Sequence, residues 1–330
     1  MSVELKTLPV INVEPLFEDN PAAWNTIDET IGNACATCSG FVVVGLPQSI
    51  RPEYAEIKKL LSVFDLPQPL LDGIGKKEMR SESKRSFRGY VSRRTGGFAY
   101  NEIFDIGPEP SVSGPPINNI EVLIESNAWP AREPAPGWRD QMINQYKQME
   151  AFGIWLVRCL ARYLGVDETA AAARYQNSNS TFRLLKYPER PTGIEIRGEK
   201  DAMRAHHGRE YPLIGSEHTD NGGLTLLWQD RPGLQFQSPA GDWLDVPDIP
   251  DSFSILVGES LQSQSSNRII ATPHRILGRG QMRHSMAFFL EPNLFSSIRA
   301  FSKDSNEETP VDEDTYAASM LETLRKTGRA

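Results

Sequence analysis

From Thr181 onward the sequence becomes a succession of short β-prone runs, FRLLKY, LTLLWQ, LQFQ, WLDV, FSILV, RIIATPHRI and RHSMAFFL, each bounded by turn residues. Many short strands at near-regular spacing predict a sandwich or jelly roll rather than a parallel sheet, which would need a helix between successive strands. Several of these runs are apolar at consecutive positions, so both of their faces have to be buried.

What precedes the strands is suited to covering them. Helices are expected over Ile27 to Cys38, Glu53 to Phe64 and Gly137 to Leu164. In the last of these, Met142, Tyr146, Met149, Phe152, Leu156, Cys159, Leu160 and Tyr163 recur at three- and four-residue steps, the pattern of a long helix with a broad buried face. Phe87 to Gly137, rich in Gly, Pro and Asn, reads as loop with short strands, and a polar tail after Asn293 ends in a helix from Asp314 to Lys326. The expected class is a mostly β core with helices (α+β). It is a double-stranded β-helix, or jelly roll, braced by an N-terminal helical region. Residues 1–180 form the helical and loop region of the same fold, 181–293 the catalytic core and 294–330 a helical tail.

Composition narrows the partners. Lys and Arg number 35 against 43 Asp and Glu, a formal charge of -8, and no basic stretch is present to track a phosphate backbone, which argues against nucleic acid. The N-terminus does not read as a signal sequence and no apolar run is long enough to span a bilayer, so a cytoplasmic location with no membrane association is expected. No protein partner is indicated. Cys35 and Cys38 form a C-x-x-C without a second Cys or His pair at zinc spacing. Ile27, Ile31 and Cys35 share a helix face, which favours a buried structural role.

The chemistry is carried by His218-Thr219-Asp220. Residues i and i+2 of an extended strand point to one side, so this imidazole and carboxylate can reach one metal ion together. His274, within Ala271-Thr272-Pro273-His274-Arg275, is the third candidate ligand. Two His and one carboxylate on one face of iron leave open positions for O2 activation. Arg283 and Ser285 share a face of an apolar strand, and a buried guanidinium needs an anion: a bound carboxylate ligand or an internal Asp or Glu.

These blocks, with Gly40-Phe41-Val42, Gly89-Tyr90, Asn127-Ala128-Trp129-Pro130, Tyr187-Pro188 and Pro232-Gly233-Leu234-Gln235, resemble the iron(II)/2-oxoglutarate-dependent dioxygenases, specifically their isopenicillin N synthase-like branch. The resemblance implies that His218, Asp220 and His274 hold Fe(II). It implies that Arg283 and Ser285, with Tyr187, hold the distal carboxylate of 2-oxoglutarate. O2 is then the second cosubstrate and a small organic molecule is oxidised, by hydroxylation in the first place, with desaturation, cyclisation or epoxidation as variants. A role in specialised metabolism is expected. Where many relatives carry Asn two residues before the tyrosine, this chain has Leu185. Two other functions stay open: an oxidase using O2 without 2-oxoglutarate, in which Arg283 would hold the substrate, and a catalytically silent binding protein, against which the intact triad argues.

Substrate contacts are expected from Arg183, on the same strand face as Leu185 and Tyr187, and from Arg88, Tyr90, Tyr100 and Phe104 in the N-terminal loops. The long connection 189–217 reads either as a solvated surface loop or as a mobile lid, in which Arg204 and His207 would meet the substrate. With the triad complete, His206 and His207 are not expected to bind iron.

Overall fold

The computed structural model describes residues 7–18, 21–76, 87–92, 97–109, 120, 123–302 and 314–326. Parts of the expected loop between Phe87 and Gly137, and residues 1–6 at the N-terminus, lie outside them. Fifteen strands are present among the described residues: β1 Val10–Asn12, β2 Gly40–Val44, β3 Gly89–Val91, β4 Glu102–Ile106, β5 Thr181–Tyr187, β6 Glu195–Ile196, β7 Glu199–Lys200, β8 Met203–His206, β9 Arg209–His218, β10 Leu224–Gln229, β11 Leu234–Gln237, β12 Trp243–Asp245, β13 Phe253–Val257, β14 His274–Leu277 and β15 Arg283–Leu290. They form an eight-stranded sheet in the order β1-β2-β13-β10-β15-β5-β4-β3, a five-stranded sheet in the order β12-β11-β14-β9-β8, and the small hairpin β6-β7. The two large sheets face each other as a jelly roll.

The major sheet is buried on both faces, which explains its unbroken apolar runs. In β10, Leu224, Leu226 and Trp228 pack against the helices, while Leu227 turns toward the other sheet. In β5, Phe182 and Leu184 face the helices and Leu185 and Tyr187 the interior. The brace is α4, Trp138–Leu164, following α1 Pro21–Thr37, α2 Tyr54–Leu61 and α3 Gln68–Gly73. At 27 residues α4 runs about 40 Å along the sheet. It stops at Gly165, whose φ of 67° lets its N–H fold back onto the carbonyl of Arg162. The expected tail helix is α7, Tyr316–Lys326, after α5 Glu168–Ala173 and α6 Glu259–Gln264.

Three elements differ from expectation. The first 180 residues supply four strands to the major sheet, because β1 pairs with β2, β2 with β13 and β4 with β5. Only the last part of RIIATPHRI is a strand. The Thr272 side chain accepts from the Val257 amide at 2.8 Å, and Pro273 brings no donor to a ladder, so the chain crosses there between sheets. The connection 189–217 is mostly paired β-structure, with β9 an interior strand between β8 and β14.

One ion cluster lies inside this frame. Asp105, in β4, is fully buried opposite Arg183 of β5. It accepts from Arg183 Nε at 2.7 Å and Nη2 at 2.8 Å, and also from Lys76. Burial alone would push its carboxyl up, but Arg183 and Lys76 outweigh that and hold it at about 2. Since the folded value lies below the unfolded one of about 3.9, the cluster stabilises fully above pH 4 and loses that contribution as pH falls through 2, about 2 kcal/mol in all. Asp105→Asn, which strands buried cations, is expected to cost about 3–5 kcal/mol at pH 7. Urea unfolding should show the gap between wild type and variant narrowing by about 2 kcal/mol between pH 5 and pH 2. A gap independent of pH would contradict the assignment.

Candidate metal and cosubstrate site

Between the sheets lies a cavity of about 310 Å³, and on its wall His218, Asp220 and His274 converge. Their candidate ligand atoms all fall within 4.8 Å of one another. Strand pairing is the cause: His218 ends β9 and is the register partner of His274, which opens β14. The next partners are Gly215 and Ile276, so β9 carries one extra residue here, and this bulge aims His218 inward. Asp220 follows in a loop tied down by α6, with Glu259 N–H donating to Asp220 O and Gly258 N–H to Gly223 O, both at 2.8 Å. Gly258 has to be glycine, since a Cβ there would sit 2.1 Å from Gly222 O.

Hydrogen bonds fix which atoms face the centre. His218 Nδ1 lies 2.7 Å from Ser216 O and His274 Nδ1 lies 3.0 Å from Thr272 O. A carbonyl only accepts, so both Nδ1 atoms carry protons and both Nε2 lone pairs are directed inward. They stand 3.7 Å and 3.9 Å from the same oxygen, Asp220 Oδ1. The other oxygen, Oδ2, accepts from Thr225 Oγ1 at 2.6 Å. Burial, then the neighbouring His274, lowers the His218 pKa and favours the neutral ring that a metal requires. Donor set, tautomers and spacing all fit a divalent iron ion.

The cosubstrate residues lie on β15 and β5, where Arg283 is the register partner of Tyr187. The Arg283 guanidinium stands 5.1 Å from the Tyr187 ring centroid. Its Nη2 donates to Gln229 Oε1 at 2.9 Å and its Nε to Arg231 O at 3.2 Å. Buried Nη1 of Arg283 and Oγ of Ser285 have no hydrogen-bond partner among the described residues. Burial lowers the Arg283 pKa, as expected where a guanidinium is enclosed without a salt-bridge carboxylate. Of the two partners considered for Arg283, the internal acid is thus not what its fork receives. Two unsatisfied donors on one strand face fit a carboxylate.

Of the expected substrate residues, Arg183 lines the cavity. Arg88, Tyr90, Tyr100, Phe104, Arg204 and His207 are not part of its wall. Phe104 faces the helices, 5.6 Å from Trp138, because β4 turns Ile103 and not Phe104 inward. Tyr90 donates to Glu102 at 2.8 Å, and Tyr100 is buried with Leu213 and Leu277 in a separate cluster. Arg88 is tied into the frame, donating to Thr181 Oγ1 at 2.6 Å and Asn179 O at 3.0 Å, with its Nε unpaired among the described residues. Arg204 is held by Glu199 and Glu217, each at 3.0 Å, and His207 sits in the β8–β9 turn at φ 48°. Gly215 and Ser216 of this connection line the cavity, and Arg197, between β6 and β7, stacks on the lining residue Phe98. Its guanidinium lies 3.9 Å from the ring centroid of Phe98, which meets His218 edge-on at 5.9 Å. Sequence reading missed Phe98, Thr225 and Asp105. Thr225, the one hydroxyl in an apolar strand, was the only signal of the three visible without pairing partners.

A second His, His and Asp cluster, His206, His207 and Asp245, lies away from the cavity wall. There His206 Nε2 is already bonded to Asp245 Oδ2 at 2.9 Å and Arg279 donates to Oδ1 at 2.8 Å.

Residues 179–292 match the model of the 2OG-Fe(II) oxygenase superfamily. The chain is 27% identical to clavatol oxidase of Penicillium crustosum, with 91% of each chain covered. It is 24% identical to a 2-oxoglutarate-dependent dioxygenase of Monascus ruber, over 96% of this chain and 94% of that one. Its fold is that of Neurospora crassa T7H, solved with alpha-ketoglutarate and thymine, at a TM-score of 0.74 and 23% identity over 99% of each chain. No helix among the described residues is long and apolar enough to cross a membrane. These matches, the family model over residues 179–292 among them, support an iron(II)- and 2-oxoglutarate-dependent dioxygenase that uses O2 and acts on a small molecule.

Proposed function

We propose that His218 Nε2, Asp220 Oδ1 and His274 Nε2 hold the iron, that Arg283 Nη1, Ser285 Oγ and Tyr187 seat the distal carboxylate of 2-oxoglutarate, and that the enzyme hydroxylates a small metabolite in the remaining cavity. The observation that carries this reading is the pairing of three convergent ligand atoms with two buried donors that lack a partner on the facing sheet. Bound iron(II) supplies the O2 chemistry, in which one oxygen atom goes into succinate as CO2 leaves and the other goes into the C–H bond of the substrate. The protein's own part is geometric. Thr225 and the carbonyls of Ser216 and Thr272 hold the three ligands in place, Arg283 fixes the cosubstrate at one end, and the apolar wall excludes water from the reacting bond. The role in specialised metabolism is supported by the fungal enzymes that this chain resembles. No nucleic acid or protein partner is proposed.

Purified enzyme should bind one Fe(II) per chain, and His218→Ala, Asp220→Ala and His274→Ala should each abolish succinate formation while the melting temperature stays near that of wild type. Full turnover by any of the three contradicts the triad. Arg283→Leu should raise the 2-oxoglutarate KM by about ten- to a hundredfold, the loss of a charge-assisted contact in a dry site. An unchanged KM would place the cosubstrate elsewhere.

Thr225→Val removes the donor to Asp220 Oδ2 at constant volume and should weaken iron binding about tenfold or more, read by anaerobic metal titration. Equal affinity would show that Asp220 is positioned by its loop alone. The Arg197 and Phe98 stack at the mouth gives a fourth expectation. Arg197→Ala should raise the substrate KM while leaving 2-oxoglutarate turnover in the absence of substrate unchanged, and an unaffected substrate KM would show that the β6–β7 hairpin has no part in closing the site.

A further inference from the structure

Arg183 is the cation on the wall of the cavity, since Arg283 lines a neighbouring pocket beyond Tyr187 and Ser285. Arg183 stands four residues before Tyr187 on the same face of β5, which places it about 13 Å along the strand from the Arg283 end. Its register partners are Ala287 on one side and Asp105 on the other. Asp105 is fully buried and spends its single negative charge on two cations, since both Arg183 and Lys76 donate to it. Arg183 offers Asp105 only the Nε and Nη2 edge of its guanidinium. Nη1 makes no hydrogen bond to any described residue, and the side chain is 29% exposed where it lines the cavity. Around it the wall is apolar, with Ile103, Leu185 and Ala287, and the ring of Phe289 lies 5.0 Å beneath the guanidinium. Burial lowers the Lys76 pKa, and the Arg183 charge lowers it further, as befits a cluster short of one anion.

An ion pair kept only for the fold would be expected to have one cation per carboxylate and both partners enclosed. Here a surplus positive charge is held rigidly, with one donor edge open to a mostly apolar chamber, and such a group lowers its free energy most by receiving an anion.

We propose that the substrate is an organic acid whose carboxylate is received by Arg183, with Asp105 and Lys76 fixing the guanidinium from behind, so that the C–H bond to be oxidised lies between this anchor and the metal set. The inference rests on the reading of His218, Asp220 and His274 as that set and of Arg283 as the seat of 2-oxoglutarate. The two anions then have separate seats and do not exchange places. The cosubstrate is held at the Tyr187 end of β5 and the substrate at the Arg183 end. Uncharged analogues are rejected because they leave the open donor edge unpaired.

The test is anaerobic calorimetry on wild-type enzyme saturated with Fe(II) and 2-oxoglutarate, titrated with 3-phenylpropanoate and, separately, with 3-phenylpropanamide. The acid should bind about tenfold or more tightly than the amide, without displacing 2-oxoglutarate. Arg183→Gln, in which Lys76 still pairs Asp105, should erase the preference and leave 2-oxoglutarate affinity unchanged, and Arg183→Lys should retain part of it. Acid that binds no better than amide, binds not at all, competes with 2-oxoglutarate, or keeps its preference in Arg183→Gln overturns the proposal. Should Arg183→Gln fail to fold, the wild-type comparison and Arg183→Lys decide. Failure of the underlying site assignment is separable, because Arg283→Leu would then hold 2-oxoglutarate with the same affinity as wild-type enzyme.

Discussion

His274 and His218 stand opposite each other across the β9/β14 pair, and the chemistry depends on that register. Strand side chains alternate, so a slip of one residue would turn either ring out of the cavity. Several unrelated contacts lock it. On the inner side, the bulge before His218 supplies the Ser216 carbonyl that fixes the ring. On the outer side, Glu217 accepts from Arg275 at 2.9 Å and from Arg204 at 3.0 Å, tying β8, β9 and β14 together one residue from the ligand. Arg204 thus serves the site through the sheet rather than by touching a substrate.

The second constraint is the cost of charge in a dry interior. Arg183 projects from the major sheet into the cavity of the metal set and Arg283 into a neighbouring pocket with Ile214 and Leu277, and in each mostly apolar space an unbalanced cation is expensive. Arg283 donates to a carbonyl and an amide oxygen, Arg183 to a carboxylate that it shares with Lys76. Each leaves a donor without a hydrogen-bond partner among the described residues. A family of enzymes that consumes an anionic cosubstrate accounts for one such donor, and the substrate acid would account for the other.

The jelly roll and the candidate ligands His218, Asp220 and His274 could be read from the sequence because their signals are local: apolar runs of strand length, an H-x-D on one strand face, an R-x-S on another. The long helix was equally plain from its periodicity. What could not be read depended on partners far away in the chain. Asp105 meets Arg183 across 78 residues of separation, and nothing in EIFDIG distinguishes an inward Asp105 from an inward Phe104 until β4 is registered on β5. For the same reason Phe104, Tyr90 and Arg88 looked available to a substrate when they were already engaged by Trp138, Glu102 and Thr181. The connection 189–217 misled through composition. Its charges suggested a solvated surface loop or a mobile lid, yet Arg204, Glu199 and Glu217 pair across its strands.

The most direct test of the account is a crystal structure of the enzyme loaded anaerobically with Fe(II) and 2-oxoglutarate. The account predicts a single metal on His218 Nε2, Asp220 Oδ1 and His274 Nε2, with the distal carboxylate of 2-oxoglutarate on Arg283 Nη1 and Ser285 Oγ and the Arg183 edge left open. Metal on His206, His207 and Asp245 in place of the triad, or the carboxylate of 2-oxoglutarate on Arg183, would contradict it.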